Sequence, residues 1–350
     1  LDADLATPLL RWFDRHGRKD LPWQADADPY RRWVSEIMLQ QTQVATVIPY
    51  YNRFLARFPD VATLAEAGQD DVLHLWTGLG YYARGRNLHK AARLVVSEHG
   101  GQFPADLDAL CRLPGIGRST AAAILAFAHG QRHPILDGNV KRVLTRYHAI
   151  DGWPGSGPVE ARLWQLAERH TPATRIADYT QAIMDLGATL CRRSQPDCPR
   201  CPLATACRAH AQGNPETYPG RKPRKVLPEK QVNMLMIRDD QGRVLLQQRP
   251  PAGVWGGLWG FPECAPDADA AGWCRTRLGL EVATDTHWPA VRHSFSHFHL
   301  TITPIPARLL GSSNKLLEND GAVWYTLAQP DARGLAAPVK SLLELLRTVS

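Results

Sequence analysis

Two architectures share this 350-residue chain: the sequence predicts an all-α module first and an α+β domain after it. Three observations carry that division. Up to about residue 210, apolar residues recur at helical spacing, as in Val61-Ala62-Leu64-Ala65 and Val72-Leu73-Leu75-Trp76, punctuated by Gly and Pro. Residues 212–230 then bring Pro215, Pro219, Pro223 and Pro228 together with Arg221, Lys222, Arg224 and Lys225, the composition of an interdomain linker. Beyond it, short alternating runs at 232–237, 244–248 and 294–303 predict strands, and 338–346 predicts a helix. The expected boundaries are therefore 1–211 for the helical module, 212–230 for the linker and 231–350 for the second domain.

That length allows two or three domains, each with its own core. No apolar run approaches a membrane span and the N-terminus shows no signal-peptide pattern, so a soluble, cytoplasmic protein with no membrane partner is expected. The odd cysteine count, 7, agrees with a reducing compartment. Charge is unevenly placed. Residues 1–225 hold 29 Lys+Arg against 22 Asp+Glu, whereas residues 226–350 hold 12 against 12. The helical part is thus the nucleic-acid candidate.

Four cysteines, Cys191, Cys198, Cys201 and Cys207, fall within seventeen residues as C-x6-C-x2-C-x5-C. Four thiolates at such spacing make one metal site, and their softness suits zinc or an iron-sulfur cluster. Zinc sites favour two tight C-x2-C pairs. The single tight pair and wide gaps suit a chain looping around a cubane.

Upstream, Leu113-Pro114-Gly115-Ile116-Gly117-Arg118-Ser119-Thr120-Ala121 links two apolar segments. Gly115 and Gly117 permit a tight turn, and free amides opening the second helix can hold a phosphate oxygen; a plain helix-turn-helix joint is the alternative. Leu136-Asp137-Gly138-Asn139-Val140 follows, where Asp137 or Asn139 can cap the next helix. Glu36 lies in the apolar, helical stretch Trp33-Val34-Ser35-Glu36-Ile37-Met38-Leu39. Desolvation there raises a carboxyl pKa and makes a proton donor near neutral pH, unless the side chain faces solvent.

The cysteine spacing and the 113–121 turn resemble the iron-sulfur loop and helix-hairpin-helix of the endonuclease III superfamily. Ser35 to Gln43, Leu79-Gly80-Tyr81-Tyr82-Ala83-Arg84 and 136–140 resemble MutY-type adenine DNA glycosylases, over nearly the whole chain. That resemblance implies one four-iron four-sulfur cluster on the four cysteines. It implies Glu36 as the acid that protonates adenine at N7, and Asp137 as the carboxylate facing the sugar cation. Gln41 and Tyr81 would enter the opened base stack, while Lys19, Trp23, Leu39, Asn139 and Gln181 surround the base or bind DNA. Lyases of the superfamily carry Lys at the position of Ser119, where an amine forms a Schiff base. A hydroxyl there implies a monofunctional enzyme.

In the second domain, Gly257-Leu258-Trp259-Gly260-Phe261-Pro262-Glu263 and the later Leu278-Gly279-Leu280 look like a Nudix box, but Ala271, Gly272 and Arg277 stand where catalytic acids are needed. A Nudix-like fold without hydrolysis is expected, reading 8-oxoguanine through Phe295, Ser296 and His297 on a strand with its preceding loop. The partner implied is double-stranded DNA with A:8-oxoguanine or A:G mispairs, bound by a monomer among nucleoid DNA. An endonuclease III-like lyase and a non-catalytic lesion-binding protein are the rival readings.

Overall fold

The computed structural model describes residues 4–223, 226–312, 321–328 and 333–348. Arg224 and Lys225 of the expected linker lie outside the described residues. Two compact units emerge, Leu1–Glu66 with Asn87–Arg224, and Ala67–Arg86 with Lys225–Ser350.

The first unit is built from α1 (Ala6–His16), α2 (Pro29–Leu39), α3 (Val44–Arg57) and α4 (Val61–Glu66). After α5 (Gln69–Trp76), which belongs to the second unit, α6 (Ala83–His99) runs across the boundary. Then come α7 (Leu107–Arg112), α8 (Arg118–His129), α9 (Gly138–His148), α10 (Gly157–His170), α11 (Ile176–Thr189) and the single turn α12 (Arg208–Ala211). Helix α2 starts where the Asp28 carboxylate accepts from the Tyr30 amide at 2.9 Å and Pro29 presets the first turn. It buries Trp33, Val34, Ile37 and Met38, leaving Glu36 half-buried on its flank. One core joins Leu9 and Phe13 of α1, Ala122 and Ala123 of α8, Val143 and Leu144 of α9, Leu163 of α10, and Ile183 and Leu186 of α11. Helices α9 and α11 approach closely at Gly187, where a Cβ would stand 2.6 Å from the Asn139 Cβ. Glycine is required there for Asn139 to sit where it does.

The second unit is an eight-stranded mixed sheet in the order β3 (Trp259–Gly260), β2 (Val244–Gln248), β1 (Glu229–Arg238), β7 (His299–Ser312), β5 (Leu280–Thr284). Off that path, β4 (Glu263–Cys264) pairs with β1, β6 (Val291–Ser294) with β7, and β8 (Ala322–Tyr325) with β2. Among the strand pairs, only the central β1–β7 is parallel, with Val232 opposite Ile302, and the others among the described residues are antiparallel; Trp259 also makes an isolated parallel bridge with Leu335. Helix α13 (Ala270–Leu278) covers β5, and Leu235, Ile237, Leu245, Cys274, Leu280 and Ile305 form the core beneath it. The last helix is α14 (Ala337–Thr348). Residues 67–86 are fastened to this unit. Trp259 Nε1 donates to the Asp70 carboxylate at 3.2 Å, Arg86 Nη1 to the Gly256 carbonyl at 2.6 Å and the Tyr82 hydroxyl to the Leu335 carbonyl at 2.9 Å.

One expected strand is corrected. The run 294–303 is not continuous, because β6 ends at Ser294, the chain turns with the Phe295 amide donating to the Phe298 carbonyl at 2.9 Å, and β7 begins at His299. The period-2 pattern slips by one residue at the adjacent polar pair Ser296-His297, but the turn lacks Gly, Pro or Asn, so that slip is the one local mark of the break.

Candidate active site

Glu36 and Asp137 come together electrostatically. Burial pushes the Glu36 carboxyl up to about 7, the carboxylate of Asp137 adds to the rise, and the guanidinium of Arg32 opposes it. Asp137 caps α9, its Oδ1 accepting from the Val140 amide at 2.8 Å. Burial raises its pKa also, but the amides of Val140 and Asn139, the Arg142 guanidinium and the Asn139 side chain pull it back. Among the described residues no such donor acts on Glu36. Burial and the neighbouring charge thus favour the protonated form of Glu36, while the donors around Asp137 favour its ionised form against the same effect of burial.

The turn between α7 and α8 sits beside this pair. Gly115 has φ +81°, a conformation that disfavours any side chain, and an added Cβ would meet Asn87 at 3.0 Å. Gly117 caps α8 without any side-chain hydrogen bond, so the first amides of α8 are left for an external acceptor. Ser119 Oγ accepts from the Leu136 amide at 3.0 Å and thereby ties the hairpin to the residue before Asp137. Asn139 Nδ2 lies 3.3 Å from Asp137 Oδ2, and its Oδ1 accepts from Arg142 Nη2 at 2.8 Å. Arg142 Nε in turn donates to the Cys191 carbonyl at 2.7 Å. A continuous hydrogen-bonded path thus joins the cysteine loop to Asp137.

The remaining residues suggested by resemblance vary in placement. Gln41 is exposed with φ +59° between α2 and α3, a strained non-glycine backbone of the kind concentrated at functional turns. Leu39 is half-buried at the end of α2. Trp23 is 3% exposed and packs edge-on against Tyr51 with centroids 5.3 Å apart. Lys19 is exposed, its Nζ donating to the Asp14 carbonyl at 2.8 Å. Gln181 is buried, its Nε2 donating to Asp185 Oδ1 at 2.8 Å. Tyr81 belongs to the second unit, where it is 54% exposed with φ +49°.

Sequence reasoning missed the clamp behind Gln181. Asp185, fully buried, accepts from the Arg18 amide at 2.8 Å and from Arg18 Nη2 at 2.6 Å as well as from Gln181. The separation 181/185 on a helix was the available signal, one that any helical pair offers. Nor does the sequence point to a role for Arg142 or Arg146, whose partners Asn139, Cys191 and Arg192 are met only in the fold.

Cys191, Cys198, Cys201 and Cys207 all line one space, with Arg146, Leu190, Pro196 and His210. Among the described residues no three metal-binding side chains converge tightly enough for a single ion. Four soft thiols lining one space supply the donor type that an iron-sulfur cluster takes. Burial pushes the Cys201 thiol up to about 12 and raises those of Cys198 and Cys207, so a cation must displace their protons to bind. Arg146 Nη1 lies 3.4 Å from Cys191 Sγ and also donates to the Arg192 carbonyl at 2.6 Å. Part of the expected linker closes the loop, since Pro215 lines the space, Glu216 accepts from the Gln195 amide at 2.6 Å and the Tyr218 carbonyl accepts from Arg146 Nε at 2.9 Å.

In the second unit, Phe295, Ser296 and His297 form the turn between β6 and β7, with Ser296 and His297 exposed. Phe295 stacks on Phe298 at 4.6 Å and leans on Trp255 at 5.2 Å. The turn is an aromatic platform carrying two polar side chains outward. Arg249 pairs with Glu263, so the one acid that closes the Nudix-like motif is occupied by a cation of the protein itself.

Residues 34–169 match the HhH-GPD superfamily of base excision DNA repair proteins, and residues 233–345 match the NUDIX domain. An adenine DNA glycosylase of Buchnera aphidicola subsp. Acyrthosiphon pisum (strain APS) is 39% identical over 336 residues, covering 96% of this chain and 95% of that protein. The Homo sapiens adenine DNA glycosylase is 34% identical, covering 96% of this chain and 73% of that protein. Among solved structures, a thermostable thymine-DNA glycosylase superposes with a TM-score of 0.53 at 27% identity, over 59% of this chain and 95% of that one. A non-covalent endonuclease III–DNA complex shares the helical fold at a TM-score of 0.51 and 21% identity, over 59% of this chain and 92% of that one. With such identity along nearly its full length, the chain belongs to the adenine DNA glycosylase family, enzymes of base-excision repair that hydrolyse N-glycosyl bonds.

Proposed function

We propose that this enzyme removes adenine mispaired with 8-oxoguanine or guanine in double-stranded DNA and leaves the strand uncut. The observation that carries the reading is the carboxyl pair: an acid held near neutrality at Glu36, against a carboxylate whose charge is supported by donors at Asp137. Glu36 gives its proton to adenine N7, which turns a poor leaving group into a neutral base. Asp137 then faces the positive charge that develops on the sugar, and Glu36, now ionised, orients the water that completes hydrolysis. The base has to leave the stack first. Gln41 and Tyr81, each held on a strained backbone, suit insertion into the gap. Lys19, Trp23, Leu39, Asn139 and Gln181 are assigned to the base pocket and its surroundings, and Gly115, Gly117 and Ser119 to the phosphate-binding hairpin.

We assign one four-iron four-sulfur cluster to Cys191, Cys198, Cys201 and Cys207; when bound it cross-links the loop that Arg142 connects to Asn139. Phe295, Ser296 and His297 are assigned to reading 8-oxoguanine, by an aromatic contact and two hydrogen-bonding groups. The domain boundaries 1–211, 212–230 and 231–350 serve this division of labour, and the enzyme acts as a monomer on nucleoid DNA. The test is single-turnover excision from duplexes carrying A opposite 8-oxoguanine, guanine or thymine, read on a denaturing gel with and without alkali. Excision opposite 8-oxoguanine and guanine with breakage only after alkali is the expected result. Nicking without alkali at the rate of base release would instead favour a lyase, and binding without excision a lesion-binding protein. Ser119→Lys should confer borohydride-trappable nicking that the wild type lacks.

A further inference from the structure

One helical turn before Glu36 on α2, the chain buries a positive charge. Arg32 is 9% exposed, and its guanidinium lies 4.8 Å from the centroid of the Phe127 ring on α8. Its Nε has no hydrogen-bond partner among the described residues. A cation held so deeply is costly, and stacking on one ring offsets only part of the desolvation. Uncompensated charge of this kind collects where it acts on a functional group.

Few charged groups surround the two side chains. Glu36 is acted on by Asp137 from the start of α9 and by Arg32. Arg32 is acted on by Glu36, by Tyr51 of α3 and by Asp26 from the segment before α2. Helix α8 contributes no charge to Glu36; its Arg118 stacks over Trp164 at 4.1 Å and His129 stands in its last turn. The 3-10 turn Pro22–Gln24 carries no titratable side chain. Tyr51 is 2% exposed and its hydroxyl has no partner among the described residues.

We propose that Arg32 is a positioning residue for the acid: its charge, fixed on Phe127 one turn from Glu36, limits how tightly Glu36 holds its proton. The proposal rests on the reading of Glu36 as the proton donor. Burial and Asp137 both favour the protonated carboxyl, and left alone they would make it a reluctant donor. Arg32 is the counterweight. It keeps the proton transferable to adenine and the resulting carboxylate tolerable, which the water-orienting step also needs.

The experiment is the pH dependence of single-turnover excision for wild type, Arg32→Met, Arg32→Lys and Tyr51→Phe. Met keeps the length and the contact with Phe127 while removing the charge. Its alkaline limb should move up by about one pH unit, the low end for loss of a nearby opposite charge, with a lower plateau. Arg32→Lys should bring the limb back toward wild type. Tyr51→Phe alters the same buried space without altering charge and should leave the limb in place. An unmoved limb in Arg32→Met, or an equal shift in Tyr51→Phe, overturns the proposal. If Arg32→Met does not fold, Arg32→Gln replaces it with the same outcomes. A carboxyl-carbon NMR titration of Glu36, its resonance identified by its loss in Glu36→Gln, separates the two readings. Unimpaired excision by Glu36→Gln would remove the acid role, yet a Glu36 titration displaced by Arg32→Met would still show the coupling. Identical titrations with and without Arg32 would remove the coupling itself.

Discussion

Glu36 and Asp137, the proposed catalytic pair, are partly buried at the flank of one helix and the cap of another, whereas Phe295, Ser296 and His297, the proposed lesion readers, stand on the turn of a hairpin. In the first region the surroundings set the chemistry. Desolvation and a neighbouring charge raise one carboxyl to about 7, and four favourable contacts restrain the other. In the second region the side chains set the chemistry, for Ser296 and His297 are both exposed, with Ser296 Oγ 3.4 Å from His297 Nδ1. A site built by environment should respond to changes of charge at constant shape. A site built by exposed groups should respond to their removal in selectivity, with the bond-breaking step little affected.

The largest effect is expected at Glu36. Glu36→Gln keeps size and loses the transferable proton, so single-turnover adenine release should fall by at least ~10²-fold, with duplex affinity retained. Asp137→Asn keeps the cap on α9 and loses the charge that faces the sugar. Its excision should fall comparably in a protein that melts near the wild-type temperature. Full activity in folded Asp137→Asn would reduce Asp137 to a helix cap and undo the contrast.

The same acid should carry a stability cost of opposite sign. The folded value of Glu36, about 7, lies above its ordinary 4.5, so folding favours the protonated form. That contribution is complete below pH 4.5 and is lost as pH rises through about 7. Glu36→Gln, which cannot ionise, should therefore be more stable than wild type at alkaline pH by up to roughly 3 kcal/mol, at about 1.4 kcal/mol for each pH unit separating the folded and ordinary values. At acid pH the two should melt alike. Denaturant midpoints at both pH values check this, and equal midpoints at alkaline pH would show that burial does not restrain the acid.

Legibility in the sequence follows the same contrast. The helical and α+β halves are readable because helical periodicity and strand alternation are local patterns, and Cys191, Cys198, Cys201 and Cys207 are readable because their spacing is covalent. Glu36 stands out through its apolar neighbours. Asp185 does not, because its role arises from Arg18, 167 residues away, and no local pattern announces such a meeting. Gly187 likewise looks ordinary until α9 passes beside it. The turn at 295–298 reads as strand because alternating runs flank it and it carries no Gly, Pro or Asn, its one local mark being the adjacent polar pair Ser296-His297. Patterns written in one segment survive translation into structure, while contacts between segments have to be seen.

Selectivity should change where the exposed turn is altered. Ser296→Ala and His297→Ala each remove a hydrogen-bonding group worth about 1 kcal/mol or somewhat more. The preference for 8-oxoguanine over guanine should narrow by roughly tenfold in single-turnover competition, while excision of saturating A:G substrate stays near wild type. An unchanged preference in both variants would place lesion reading elsewhere on the second unit.

The smallest effect is expected at Ser119, which lies between the two strategies: it is a side chain on a hairpin whose proposed DNA contact is through backbone amides. Its Oγ accepts from the Leu136 amide at 3.0 Å and so steadies the approach to Asp137. Ser119→Ala leaves that amide without its acceptor and should cost about 1 kcal/mol of stability, the ordinary worth of one such hydrogen bond. Excision should slow by only a few-fold, because Asp137 keeps its bonds to Val140 and Asn139. Affinity for undamaged duplex, and its dependence on salt, should not change, since the free amides opening α8 are untouched. If non-specific binding instead weakened along with excision, the hydroxyl itself would be a phosphate ligand and the hairpin would bind DNA by side chain as well as backbone.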